Sequence, residues 1–329
     1  MFTKKSKSID SNQINEKIKK HFLVSMPEDF FKFWSFCSSL NPLNPKASLN
    51  EVDILLVGPF DIIDGKLNDE TLDQTDPNVL LCYYRFFYDV PELQTVLRDP
   101  KSNFHIGYFR DSPSEMPSMV VSNDPDKSCL INPLGDNLFS GLLAHCEDLA
   151  RRKSDKKIVT EKLIGKIKSF AEKNNISLTN DEMKRRKKKI VTKSFHGAGI
   201  VVPFEKDVGY RPLPESDQNL RKLLKKLIDL PEEDRQRSKS YESLKEIVNL
   251  TNLANDECDF GMTLELGIDL FCFGHEFFNR LIIFLLGTAY ELLDRQEFGT
   301  IIEAHIGNRK NEKLMKFNLR NNLTSSTSS

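Results

Sequence analysis

The spacing of apolar residues changes along the chain, and each change marks a different kind of element. Ile14, Ile18, Phe22 and Leu23 recur at helical spacing, which predicts a short helix over residues 12–22. Phe30, Phe33, Trp34 and Cys37 then fall at i, i+3, i+4 and i+7, giving a second helix with one apolar face. Ser25 and Glu28, with Pro27 between them, read as its capping box. From Asp53 the period shortens. Short apolar or aromatic runs at 53–57, 83–88, 104–109, 118–122 and 129–131, some bounded by Gly58-Pro59 and Val90-Pro91, predict strands. The acidic stretch 68–78 between them predicts a surface loop. Helical spacing returns over 137–151 and 153–175. Gly197 and Gly199 bracket a turn before a strand at 199–202. Leu220, Leu223, Leu224 and Leu227 mark a helix after Asp217, and runs at 241–253, 277–293 and 298–306 complete the helical part. Neighbouring strands without long helices between them predict an antiparallel sheet with helices to one side. The expected fold class is α+β, with a strand-rich N-terminal half and a helix-rich C-terminal half. The expected organisation is a flexible N-terminus at 1–12, a domain at 13–152, a mainly helical domain at 153–310, and a disordered tail at 311–329 ending NNLTSSTSS.

Composition narrows the class. A chain of 329 residues with 39% hydrophobic and 29% charged residues has the balance of a soluble globular protein. A formal net charge of -1 excludes a globally basic nucleic-acid binder. One dense basic run, MKRRKKK at 183–189, leaves a local phosphate contact, an import signal, an acidic partner or a plain solvated face all open. The opening MFTKKSKSIDSNQ has no apolar core for a signal peptide, and the greasiest run, 281–293, is too short to span a bilayer. Six scattered cysteines without paired spacing suggest reduced thiols of the cytosol or nucleus.

The candidate chemistry lies in ANDECDFGMTLELGIDLFCFG, residues 254–274. Asp256, Glu257 and Asp259 fall within four residues, and Glu265 and Asp269 follow one turn apart, interleaved with glycine, leucine and phenylalanine. Like charges beside apolar neighbours raise the cost of ionisation, so at least one carboxyl pKa should rise. Functional sites gather such groups, and so do structural ion pairs. A calcium loop with Gly261 at its sixth position fails, because Cys258 and Phe260 stand where oxygen ligands are required. The zinc-protease pattern at His275-Glu276 lacks its second histidine. The HGAG at 196–199 has no matching nucleophile elbow, and no phosphate-binding or dinucleotide loop is present. His196 and His275 therefore read as structural. What survives is the acid cluster and an exposed loop, DVGYRPLPESD, that presents Tyr210 and Arg211. A glutamate can act as general base on a hydroxyl if the electrophile is supplied nearby. Arg211 can grip a carboxylate or anchor an interface, with a structural salt bridge to one of the acids as the competing explanation.

Longer strings carry a resemblance. PEDFFKFWSFC at 27–37, LVGPFDI at 56–62, YRFFYDVPELQT at 84–95, HIGYFRDSP at 105–113 and GDNLF at 135–139 occur in order. KKIVTKSFHGAGIVVP at 188–203, DVGYRPLPESD at 207–217 and the 254–274 string complete the set. Together the strings resemble the histone PARylation factor family over most of the chain. The resemblance implies an accessory factor that binds the catalytic domain of DNA-break-sensing poly(ADP-ribose) polymerases and completes a joint active site for serine modification on histones and the polymerase. It implies that Glu257 is the catalytic base, and that Asp256, Arg211 and Tyr210 bind the partner. It also implies no metal and no cofactor held by this chain, since NAD belongs to the polymerase. The family setting is the nucleus, at chromatin and DNA-damage sites, with no membrane contact and a monomeric chain; direct DNA contact stays open. Two alternatives remain: a stand-alone hydrolase pairing Glu257 with an acid such as Asp269, and a non-catalytic chromatin interaction module using the basic run.

Overall fold

A computed structural model describes residues 10–152 and 154–309. The expectations for residues 1–9 and 311–329 lie outside the described residues. Helix α1 (Ser11–Phe22) starts one residue before the predicted 12–22, where the Asp10 carboxylate accepts from the backbone N–H of Asn12 and Gln13. Helix α2 (Glu28–Leu40) begins later than a Ser25 cap would place it. Pro27 occupies the cap position with no side-chain bond, and Asn15 clasps both backbone groups of Met26 just before it.

The sheet is an antiparallel meander in the order β1-β2-β3-β4-β5: β1 (Leu55–Leu56), β2 (Leu93–Arg98), β3 (His105–Phe109), β4 (Met119–Asn123) and β5 (Asn132–Gly135). Three sequence expectations differ from it. The 83–88 run is no strand. Tyr84 is left-handed, and buried Arg85 donates to the carbonyls of Leu81, Val90 and Leu93, so side-chain bonds hold this loop where a ladder was expected. The strand starts beyond Pro91, at Leu93. The 68–78 stretch folds into α4 (Asp69–Gln74) and α5 (Pro77–Leu81), following the one-turn α3 (Phe60–Ile63), because Asn68 and Asp76 cap them. The last strand lies three residues after the predicted 129–131, since the Ile131 N–H turns to the His196 carbonyl at 2.8 Å. Pro133 then sits in β5 at the sheet edge, where a missing donor is tolerated.

Helix α6 (Leu138–Arg152) packs beside β5, and α7 (Lys157–Lys173) returns along it. Phe139 stacks on Phe170 at 5.5 Å and meets Phe33 of α2 edge-on. The short α8 (Asp181–Lys187) carries the first five residues of the basic run, and Lys188 and Lys189 follow in a turn. A loop follows in which the predicted strand at 199–202 is reduced to one bridge, Thr192 to Ile200. Helices α9 (Asp217–Ile228), α10 (Glu232–Arg235), α11 (Lys239–Asp256), α12 (Phe260–Phe273), α13 (Asn279–Leu292) and α14 (Gln296–Asn308) complete the chain.

Helix α12 is the hub. Every residue from Gly261 to Cys272 is buried, as an all-round apolar helix requires. One hydrophobic core runs from Phe30 and Ile106 through Leu264 and Leu286 to Ile302, crossing both halves. Polar ties cross as well: the Tyr290 hydroxyl donates to Glu92, and Arg309 donates to the carbonyls of Phe87 and Phe271.

Candidate functional site

The site forms where α11 stops and α12 starts. Asp256 is the last residue of α11 and Glu257 caps it, with its N–H on the Ala254 and Leu253 carbonyls. Cys258 takes a left-handed conformation, φ 65°, and the Asp259 N–H returns to Ala254 at 2.7 Å. This tight break turns the side chains of Asp256 and Glu257 outward while Asp259 is buried.

The loop carrying Tyr210 and Arg211 is clamped onto that break. The Gly209 N–H donates to Asp259 at 2.9 Å, and the Gly209 carbonyl accepts from the Gly261 N–H at 2.9 Å. Both glycines are required by this approach. Gly209 has φ +118°, and a Cβ there would lie 1.9 Å from the Pro203 carbonyl; one on Gly261 would lie 2.9 Å from the Gly209 carbonyl. Arg211 then reaches both Glu257, in a close hydrogen-bonded ion pair, and Asp259 at 3.1 Å. The side chains of Arg211 and Glu257 are 47% and 58% exposed, whereas that of Asp259 is 6% exposed. Glu257 pulls the Arg211 pKa still further up.

Tyr210 departs from the exposed position expected of it. It is half-buried, and its hydroxyl donates to Glu265 on α12 at 3.0 Å. The Thr192 hydroxyl donates to the other Glu265 oxygen at 2.6 Å. One turn on, Asp269 accepts from the Ser194 hydroxyl at 2.6 Å and the Phe195 N–H at 2.8 Å, leaving its Oδ2 without a hydrogen-bond partner among the described residues. The rise in carboxyl pKa expected from the sequence falls on this pair. Burial raises Glu265, and it raises Asp269 to about 8, so Asp269 is a neutral acid at neutral pH. Oxygens of Asp217, Glu265 and Asp269 lie within 4.8 Å of one another, a spacing compatible with a cation. Donors already engage both Glu265 oxygens and Asp269 Oδ1, so hydrogen bonding accounts for most of the cluster without an ion.

The structure thus brings Arg211, Glu257 and Asp259 together, with Asp256 exposed beside them and Tyr210 tied beneath. Asp259 joins the site although the resemblance assigns it no role. Its only signal was its place in the NDECD string, three residues beyond Asp256. His196 and His275 are structural, as expected: the buried His196 Nδ1 accepts from the Ala198 N–H, and His275 caps the turn at Phe277. Burial holds the His196 pKa down at about 3. Exposed Leu250 and Leu253 on the last turns of α11, and Phe204 and Val208 on the clamped loop, fringe the site with apolar surface. A cleft of about 490 Å³ opens elsewhere, among Leu40, Val52, Leu163 and Lys166, and contains none of these residues.

The class defined by this fold and site is an α+β protein that displays an arginine-paired carboxylate on an apolar-fringed surface. The model of the family described as Histone PARylation factor 1 matches residues 13–309. The chain is 41% identical over 319 residues to the Histone PARylation factor 1 of Bos taurus, covering 94% of this chain and 91% of that protein. Likeness to the proteins of the same name from Mus musculus and Danio rerio is 40% in each case, over 92% and 94% of this chain and 89% and 90% of theirs. The chain belongs to the histone PARylation factor 1 family. No helix among the described residues is long and apolar enough to cross a membrane.

Proposed function

We propose that this chain is an accessory factor that binds the catalytic domain of a DNA-damage poly(ADP-ribose) polymerase and lends it Glu257 as a general base. The observation that carries the reading is the setting of Glu257: an exposed carboxylate at a rigid helix break, fringed by Leu250, Leu253, Phe204 and Val208. Exposed apolar surface around a polar group suits a protein partner. A serine hydroxyl is a poor nucleophile at neutral pH and needs a base as it attacks. In the joint site the serine oxygen forms a bond to the anomeric carbon of the NAD ribose. The bond to nicotinamide breaks with its electron pair, and the hydroxyl proton passes to Glu257. The polymerase holds the NAD.

Arg211 governs when that base is available. In the free chain it engages Glu257, and Asp259 offers it a second, buried acceptor at 3.1 Å. Exposed ion pairs are weak and solvent-screened. Docking that draws Arg211 onto Asp259 or the partner releases Glu257. Asp256, exposed at the end of α11, and Arg211 then serve the interface, with Tyr210 fixing the loop. Histones and the polymerase itself are the acceptors, and the work is done in the nucleus, on chromatin at sites of DNA damage. The hydrolase alternative meets an obstacle in Asp269, which is fully buried and cannot reach a substrate beside Glu257.

The test is polymerase, NAD and histone with wild-type chain, Glu257→Ala chain, Arg211→Ala chain, or none, with modified residues read by mass spectrometry. Wild-type chain is expected to create serine modification. Glu257→Ala should bind the polymerase without doing so, and Arg211→Ala should lose binding. Normal serine modification with Glu257→Ala would overturn the assignment.

A further inference from the structure

The basic run is absorbed by none of this chemistry. In α8, Met183 and Arg186 face inward at i and i+3, and the other cations of 183–189 are exposed. Arg186 is 5% exposed, bidentate on Asp111, and donates to the carbonyls of Ala198 and Gly199. Asp136 accepts from the N–H groups of Glu182 and Met183, fixing the start of the helix. Lys184 pairs with Asp181, and Arg185 with Glu182. After these pairings, exposed Lys187, Lys188, Lys189 and Lys193 have no ion pair among the described residues. Four uncompensated lysines thus stand within seven residues of a chain whose net charge is -1.

We infer that Lys187, Lys188, Lys189 and Lys193 form a docking surface for the phosphate backbone of duplex DNA. Lysines are hydrated point charges, suited to sequence-independent phosphate contact. The segment DEMKRRKKKIVTK, residues 181–193, contains no aromatic side chain on which an unpaired base could stack, which favours a duplex over a single strand or a polymer with free bases. The scaffold beneath these lysines is tied to the candidate site by hydrogen bonds. Arg186 anchors α8 to the carbonyls at 198 and 199, and within the same loop Thr192 holds Glu265, which in turn holds Tyr210. The DNA contact does not rest on the proposed function.

The test measures binding of the full chain, without polymerase, to a labelled duplex by fluorescence anisotropy across salt. Four phosphate contacts at about 0.9 each give a log–log slope of about -3.6, so affinity should fall about 50-fold between about 50 and 150 mM salt. Lys187→Glu/Lys188→Glu/Lys189→Glu should bind at least tenfold more weakly at 50 mM and flatten the slope. A charge-matched control on α1, Lys17→Glu/Lys19→Glu/Lys20→Glu, should stay within twofold of wild type. Equal weakening of both triples, a wild-type slope near zero, or tighter binding to poly(ADP-ribose) than to duplex would overturn the inference. An independent arm separates it from the joint-site reading: with polymerase and a DNA-free histone peptide, the lysine triple variant should support serine modification at the wild-type level, while on nucleosomes it should fall below wild type. Loss on the free peptide would show that these lysines serve the polymerase interface.

Discussion

Glu257 and Asp269 are carboxylates twelve residues apart, on either side of the start of α12, and their surroundings are opposite. Glu257 is solvent-facing at a helix break and pairs with an exposed partner, Arg211. Asp269 is fully buried, takes two hydrogen bonds from the 194–195 segment, and keeps its proton to about pH 8. The contrast separates two uses of an acid. An exposed carboxylate on a short tether can take a proton from something that arrives, whereas a buried one fixes backbone. Asp259 and Glu265 lie between these extremes and join them, since Asp259 holds Gly209 and Arg211 while Glu265 holds Tyr210.

The largest expected break in this comparison comes from Glu257→Gln, which keeps shape and removes basicity. General-base catalysis contributes about 10²–10⁴-fold, so serine transfer with the polymerase should fall at least 100-fold. The melting temperature should stay within about 1 °C, because the side chain is exposed and its ion pair weak. A large stability loss with transfer intact would reverse the division.

Asp269→Ala should do the opposite. It leaves the Ser194 hydroxyl and the Phe195 N–H without their acceptor inside the core, and unsatisfied buried groups of this kind should cost about 2–4 kcal/mol together. Urea unfolding would read that loss. Transfer per folded molecule should change by less than about threefold, and a transfer defect as deep as that of Glu257→Gln would place Asp269 in the chemistry.

The comparison also shows what could be read in the sequence. The helices at α2, α9 and α11 were legible because their apolar residues repeat with the helical period against one core. The acid string was legible as a crowd, and only the family resemblance singled out Glu257 within it. The division of labour among the acids was not legible, since it depends on contacts 46 to 74 positions away: Arg211 on Glu257, Gly209 on Asp259, Thr192 on Glu265 and Phe195 on Asp269. The exchange of the 83–88 run for β2 has a similar cause, because the buried Arg85 that holds the loop reads from the sequence as a surface cation.

A smaller effect is a pH dependence. The Asp269 pKa stands at about 8 in the folded chain against an ordinary 3.8. Between those values the native state holds a proton that the unfolded chain has released, so stability from this group is complete below about pH 4 and is lost as pH rises through about 8. Thermal unfolding from about pH 5 to 8.5 should show wild type declining more steeply than Asp269→Asn, which carries no such proton. Parallel curves would remove Asp269 as the source.

The smallest effect expected is that of Tyr210→Phe, and it tests where the boundary between holding and acting lies. The change removes the donor to Glu265 Oε2 while Thr192 still serves Oε1, so the stability cost should be about 1 kcal/mol. The backbone at Gly209 keeps its bonds to Asp259 and Gly261, so Arg211 should stay over Glu257 and Asp259. Polymerase affinity, measured by calorimetry, should then weaken only a few-fold. If it weakens tenfold or more at an unchanged melting temperature, the Tyr210 hydroxyl meets the partner directly. The half-buried tyrosine would then belong with Glu257 among the groups that act, and Glu265 would be its tether in the free chain alone.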